Sequence, residues 1–425
     1  MPTRSAELRR NRSVATRFTR AIRAGACAIS LIAVGPVDGV AADPSADVRK
    51  PPRPERTAAE RALAAGRLRE VYRGDPAGWP PPQVDPGVEW REIGLLPAVE
   101  HPASNPFSPS KVELGRTLFF DARLSVSGKM SCASCHEPSL GWADGRPVSQ
   151  PAAKQPARNT PTVRNAAFHP ALFWDGRATS LESQAAEALV EPKEMAATRE
   201  HVEVLLAAST GYRKLFAAAF PDRPITFEAV VDAIACFERT IVGGRSRFDD
   251  FLQGDAAVLS EAEILGLDLF RREARCMNCH HGPVFSDGRF HDLGLSFHGR
   301  SNEDLGRFAV TDAVADRGRF RTPTLRDVTQ TTPLMHTGIF GLPGVLNMYN
   351  AGMVTLKRHP HERHDPLIPV KSPHLRPLGL NRQDLADLAA FLGTLEEPRR
   401  TMRPPTLPAI DRGGVTAGEP TNSSR

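Results

Sequence analysis

The chain has 425 residues, 40% hydrophobic and 24% charged, with 38 prolines and 33 glycines; that length allows two or three domains of a loop-rich globular protein. The net charge of +5 is unevenly placed, since seven of the 54 basic side chains but only two of the 49 acidic ones lie within residues 1–42. The remainder is neutral, which excludes a nucleic-acid binder built on a basic surplus, and no run of 18 apolar residues is present to span a membrane.

The first segment accounts for the charge. Arg9, Arg10, Arg12, Arg17, Arg20 and Arg23 precede the apolar run Ala24–Val34, and the small residues Val40-Ala41-Ala42 suit cleavage before Asp43. Residues 1–42 therefore read as a secretory signal peptide, and the mature protein as periplasmic. The other readings are an organelle transit peptide, disfavoured by the uncharged apolar run, and a lipid anchor at Cys27, disfavoured because most of that run follows the cysteine. Residues 43–92, rich in Pro, Arg and Ala, read as an extended or partly helical lead-in.

Four of the five remaining cysteines fall in two copies of one pattern, Cys132-Ala133-Ser134-Cys135-His136 and Cys276-Met277-Asn278-Cys279-His280. C-x-x-C-H is the attachment sequence for c-type haem: two thiols at helical spacing add to the two vinyl groups, and the adjacent imidazole reaches the iron. A single C-x-x-C could also be a zinc half-site or a redox dithiol. Two copies, each followed directly by histidine in an exported chain, favour two covalent haems, with Cys236 left as a buried structural thiol. The copies extend outward: a Leu-Gly helix with Leu-Phe precedes each motif, and Asp-Gly-Arg follows at Asp144-Gly145-Arg146 and Asp287-Gly288-Arg289. A repeat this long reads as a duplicated domain.

Helices are expected over Leu181–Leu189, over Arg199–Phe220 with Gly211 interrupting, and over Thr226–Val242. Ser260 with Glu263 forms a capping box for the helix before the second haem motif. A terminal helix over Arg382–Leu395, capped by Asn381, places Leu385, Leu388, Leu392 and Leu395 on one face. The fold class is mostly α: two cytochrome c-like haem domains in tandem with extended loops, over residues 93–250 and 251–397, followed by a disordered tail at 398–425.

The runs Arg158-Asn159-Thr160-Pro161-Thr162, Phe173-Trp174-Asp175-Gly176-Arg177 and Ser180-Leu181-Glu182-Ser183-Gln184, with Phe320-Arg321-Thr322-Pro323-Thr324 and Met335-His336-Thr337-Gly338 in the second half, resemble the bacterial di-haem cytochrome c peroxidase family, including its MauG-like branch. The likeness covers about residues 93–397. It implies that Trp174 lies between the haems and mediates electron transfer, that Gln184 belongs to the peroxide pocket, and that Glu194 is the distal glutamate. On their own, Trp174 reads as a core aromatic and Glu194 as a solvated charge. Where the family commonly has Gly-Pro, this chain has Glu187 and Ala188, a departure that would widen the pocket or admit water.

The resemblance also bears on the axial ligands. Many members carry a blocking histidine between the first haem motif and the RNxP run, but residues 137–158 contain neither His nor Met, so the first iron should be five-coordinate on His136. Tyr349 falls where peroxidases have an axial methionine and MauG-like members a tyrosine; Met348 and Met353 are its rivals on the same loop. A calcium ion between the domains would take the side chain of Asn159 and the backbone carbonyls of Thr331 and Pro333, a set of oxygens suited to that ion. Of the histidines that could be proposed as metal ligands, His281, His361 and His364 read as surface or loop residues, and His336 as having a supporting role near the haems.

The function this implies is that of an oxidoreductase, a periplasmic di-haem c-type peroxidase. It would reduce hydrogen peroxide with electrons passed through the second haem from a small cytochrome c or a cupredoxin. The alternatives are a MauG-like enzyme that oxidises a residue of a partner protein, and a non-enzymatic di-haem electron carrier. A homodimer is compatible with either enzyme; nucleic-acid partners and stable membrane insertion are not expected.

Overall fold

A computed structural model describes residues 50–148, 158–356, 365–399 and 401–411; the expected signal peptide with Cys27, the histidines His361 and His364, and residues 412–425 lie outside them. In chain order the helices are α1 (Ala58–Val71), α2 (Pro109–Phe119), α3 (Cys132–Cys135), α4 (Leu181–Val190), α5 (Arg199–Ala207), α6 (Thr210–Ala219), α7 (Phe227–Glu238), α8 (Arg247–Leu252), α9 (Glu261–Arg271), α10 (Phe308–Thr311), α11 (Leu342–Asn350) and α12 (Arg382–Gly393). Strands β1 (Phe290–Asp292) and β2 (Arg319–Arg321) pair antiparallel, with Phe290 opposite Arg321. The fold is mostly α, as the sequence indicates, and no helix among the described residues is long and apolar enough to cross a membrane.

Local chemistry sets the helix limits. At α9 the Ser260 backbone N–H donates to Glu263 at 2.6 Å, completing the capping box. At α12 the Asn381 side chain accepts from the Asp384 N–H at 2.8 Å. The interruption expected at Gly211 falls two residues earlier, because Ser209 caps α6 by accepting from the Tyr212 N–H. Gly211 instead makes room for the tail, since a Cβ there would lie 2.6 Å from the Pro408 Cβ.

That contact is one of several that seat the tail. Disorder was expected from residue 398 onward, yet residues 401–411 are seated on the first half of the protein. Ser209 Oγ donates to the Ala409 carbonyl at 2.6 Å, Thr210 Oγ1 to the Asp411 carboxylate at 2.7 Å, and Arg116 to the Arg403 carbonyl at 2.7 Å. Met402 packs against the core below. Composition shows a Pro- and Thr-rich segment there; it does not show that a distant helix cap and an arginine supply partners for the tail's backbone.

Two cores are built on the same plan. In the first, α2 crosses α7, and Phe119 meets Phe237 edge-to-face at 5.4 Å and Trp142 at 5.9 Å. In the second, α9 crosses α12, and Phe270 meets Phe391 at 5.2 Å and Phe285 at 5.8 Å. The repeated Leu-Gly explains the close crossings. A Cβ on Gly115 would collide with the Ala233 carbonyl oxygen of α7, and one on Gly266 with the Asp387 carbonyl oxygen of α12. Gly115→Ala and Gly266→Ala should therefore each cost about 1–3 kcal/mol or more through overpacking, read as a lower Tm in thermal melts of haem-loaded protein.

The second core also recruits residues from outside the repeat. Phe248 and Phe251 of α8 belong to it, so the change of core falls between Ile241 and Phe248. The lead-in contributes Ala65, Tyr72 and Trp79. It is fastened by Tyr72 Oη donating to Asp268 at 2.7 Å and by a bidentate Arg61–Asp387 pair at 2.7 and 2.8 Å.

Candidate di-haem site

Each haem motif is followed by an aromatic residue held in an unusual backbone conformation. Trp142 has φ +64° and Phe285 φ +54°, a region costly for bulky side chains and kept where surrounding structure enforces it. The result is the same in both halves. The Trp142 carbonyl lies 3.2 Å from His136 Nδ1, and the Phe285 carbonyl 2.9 Å from His280 Nδ1. With Nδ1 bound to a carbonyl, Nε2 is the lone-pair nitrogen left to coordinate iron. Burial lowers the pKa of both imidazoles, which favours the neutral, ligating form. Cys132, Cys135, Cys276 and Cys279 are all free thiols. Two unbridged thiols beside a neutral, oriented imidazole fit a covalent c-type haem at both motifs.

The Thr-Pro-Thr runs brace these loops in parallel fashion. Thr162 Oγ1 donates to the Gly141 carbonyl at 2.6 Å, and Thr324 Oγ1 to the Val284 carbonyl at 2.7 Å. The arginines that follow are buried in ion pairs, Arg164 with Asp327 at 2.8 Å and Arg326 with Asp249 at 3.0 Å. Arg164–Asp327 joins the two halves, as does the Arg321 N–H donating to the Trp174 carbonyl at 2.8 Å.

Around His280 lies an apolar cavity whose walls include Cys276, Cys279, Leu346, Leu388, Leu392 and Tyr349. Tyr349 stands on α11, and burial raises its phenol pKa, with the Cys279 and Cys276 thiols adding to the rise. Neither Met348 nor Met353 lines this cavity. Trp174 lines it from the opposite half and is itself buried, its indole N–H donating to the Asn159 carbonyl at 2.8 Å. His336, expected to have a supporting role near the haems, is buried against Phe320, stacked at 3.6 Å, and Trp174, edge-on at 6.1 Å. Its pKa falls to about 4 through burial. His281 is likewise buried rather than superficial, and Cys236 is fully buried.

Gln184 and Glu194 lie in the first half and do not line that cavity. Gln184 is half-buried on α4, and the loop carrying Glu194 folds back onto α4 through the Ala197 N–H to the Leu189 carbonyl at 2.9 Å. Glu194 is exposed, yet the protein around it withdraws it in part from water and so raises its pKa, Arg177 opposing the rise and Glu191 and Glu187 adding to it. Its charge reaches the first haem motif: after burial and Asp144, Glu194 helps to raise the Cys135 thiol pKa. The departure at Glu187 proves to be occupied chemistry. Glu187 binds Arg177 Nε at 2.8 Å, while that guanidinium also contacts Asp175 at 3.1 Å and stacks on Phe173 at 3.4 Å.

Residues 109–257 match the model of the di-haem cytochrome c peroxidase family. The chain is 41% identical over 317 residues to the methylamine utilization protein MauG of Methylorubrum extorquens, covering 73% of this chain and 85% of that one. It is 35% identical over 332 residues to the cytochrome c551 peroxidase of Nitrosomonas europaea, covering 76% and 92%. A crystal structure of a MauG-like protein associated with microbial copper homeostasis superposes with a TM-score of 0.65 at 35% identity, covering 73% of this chain and 95% of that one. The chain belongs to the di-haem cytochrome c peroxidase family.

As a di-haem peroxidase it is an oxidoreductase that carries two covalently bound c-type haems and acts on hydrogen peroxide with a redox partner or protein substrate. Among the described residues, Cys279, Asp287 and His291 form the one cluster of three metal-ligating side chains. His291 Nε2 lies 2.7 Å from the Asp287 carboxylate and Cys279 is a haem-attachment thiol, so the cluster belongs to the second haem site. At the expected calcium position, Asn159 Nδ2 donates to the Arg146 carbonyl at 2.8 Å, which leaves Oδ1 as the side-chain oxygen for a cation, and Thr331 lies on the same cavity wall. The left-handed aromatics and the Glu187–Arg177 pair escape sequence reading. For Trp142 and Phe285 a signal exists: both follow the haem histidine by five or six residues in an otherwise repeated segment.

Proposed function

We propose that this di-haem peroxidase is of the MauG-like kind at its second haem, whose iron His280 and Tyr349 would hold. The observation that carries the reading is that Tyr349, not Met348 or Met353, shares a cavity wall with His280 and both attaching cysteines. Bound haem supplies the iron at which peroxide is cleaved and the second redox centre that exchanges electrons with a partner. His136 is the proximal ligand of the first haem. Glu194 moves a proton from the inner to the outer oxygen of peroxide, with Gln184 as a hydrogen-bonding partner. Trp174, fixed by Asn159, is the connection between the two halves. The protein works in the periplasm after removal of residues 1–42, and a calcium ion on Asn159, Thr331 and Pro333 steadies the interface beside Trp174.

In a first reading the electron donor is a small cytochrome c or a cupredoxin and peroxide is detoxified. A tyrosine ligand favours the second reading, in which the oxidising power is directed at a residue of a partner protein, because an anionic oxygen stabilises the ferric and higher states. A donor screen separates the two: rapid, repeated peroxide turnover with a small redox protein supports detoxification, and turnover only with a partner protein that becomes modified supports the second. The ferric protein should show one high-spin and one low-spin haem in electron paramagnetic resonance, and should react with peroxide without prior half-reduction. Two low-spin signals, silent towards peroxide until a reductant is added, would reject the open coordination site on His136.

A further inference from the structure

Five arginines are buried among the described residues. Four have carboxylates: Arg164 has Asp327, Arg239 has Glu182, Arg271 has Glu92 and Arg326 has Asp249. Arg321 has none. It is 6% exposed, its Nε donates to the Phe173 carbonyl at 3.2 Å, and its Nη1 makes only a long contact of 3.4 Å to the Thr322 carbonyl. Burial lowers its pKa to about 10, so it remains a cation at neutral pH. A buried charge without a counter-ion is strongly unfavourable, and here the missing partner is an anion.

The surroundings say where that anion sits. Arg321 lines the cavity that contains Cys276, Cys279 and His280. Three other buried polar atoms on the same wall have no hydrogen-bond partner: His169 Nδ1, His336 Nε2 and Ser372 Oγ. The cavity surface is mostly apolar, as a macrocycle requires; Arg275, His374 and Arg376 also line it, but all three pair with Asp85, and the two thiols and His280 would account for the vinyl groups and one ligand of the iron. The propionate carboxylates of the second haem are left to be satisfied.

We infer that Arg321, with His169 beside it, binds a propionate of the second haem and ties that carboxylate to the Trp174 segment. A guanidinium suits a carboxylate because its N–H groups form a fixed fork. The tie is short: the same residue holds the Phe173 carbonyl through its side chain and the Trp174 carbonyl through its backbone N–H. Arg321 is thus a positioning residue, one that would neutralise a haem carboxylate beside the Trp174 segment.

The test uses the haem-loaded protein and needs no turnover. Thioether attachment does not depend on Arg321, so Arg321→Gln should keep both haems. A lost cation disfavours the reduced form, so the low-spin haem's reduction equilibrium should fall by about tenfold, ~59 mV for a one-electron couple. Its propionate bending modes in resonance Raman spectra should shift as well. Arg321→Lys should restore most of the potential, and His169→Gln should move the same Raman bands by less. A mobile solution anion is the rival occupant, and it is separated in the wild type by exchanging chloride, phosphate and perchlorate at constant ionic strength. A potential that ignores the anion supports the propionate; one that follows it overturns the inference. So would a potential shift in Arg321→Gln with unmoved propionate bands, which signals a field effect alone. Should Arg321→Gln not accumulate, the Arg321→Lys and His169→Gln spectra and the anion exchange still decide.

Discussion

Glu194→Gln should slow the reaction with peroxide by about 10²–10⁴-fold, the range for one positioned acid–base group, while both haems stay attached. The exchange keeps the shape and the hydrogen-bonding capacity of the side chain and removes the proton it exchanges. The Glu194 side chain makes no hydrogen bond among the described residues, and its loop is anchored by backbone bonds and by buried Met195, so folding should not suffer. The pH dependence carries a sign. The pKa of Glu194 is raised by its partial withdrawal from water, so below that pKa the carboxyl is protonated and no base is present. The wild-type rate should therefore climb as pH rises through the raised pKa, and that limb should vanish in Glu194→Gln. Stopped-flow mixing with peroxide across pH reads both effects, and a variant reacting at the parental rate would remove Glu194 from the mechanism.

Tyr349→Phe should abolish the low-spin spectrum of the second haem, and Tyr349→Met should restore a low-spin haem at a much higher reduction potential. The reason is ligand charge. A tyrosinate oxygen favours ferric iron, whereas a thioether favours the reduced state. In the protein alone, burial keeps the Tyr349 phenol protonated, so the proton must leave when the metal binds, as it does for any ligand whose anion is the donor. The shift should be visible in optical and electron paramagnetic resonance spectra and in potentiometric titration. A low-spin spectrum untouched in Tyr349→Phe would hand the ligand role to Met353, and the enzyme would then be handled as an ordinary cytochrome c peroxidase.

Much of the chemistry was legible because it is local. C-x-x-C-H needs its residues adjacent, so Cys132, Cys135, His136 and Cys276, Cys279, His280 could be read directly. The caps at Ser260 and Asn381 are equally local, since a side chain meets a backbone N–H three residues away. The register of Trp174, Gln184 and Glu194 came from resemblance, because nothing within a few residues distinguishes such a glutamate from a solvated one. The helix limits slipped where a cap competed with a glycine, as at Ser209 and Gly211.

What the tertiary structure decided depends on meetings between distant residues. The seat of residues 401–411 exists because Ser209, Thr210 and Arg116 offer partners to a segment some two to three hundred positions away. The lead-in closes on the second core through Arg61 and Asp387, near opposite ends of the described chain. Arg158, Arg164, Arg321 and Arg326 are alike in sequence, each beside a Thr-Pro-Thr run. Among the described residues three of them acquire carboxylates on folding and Arg321 does not, because ion pairing is settled by which side chains are buried together and not by neighbours along the chain.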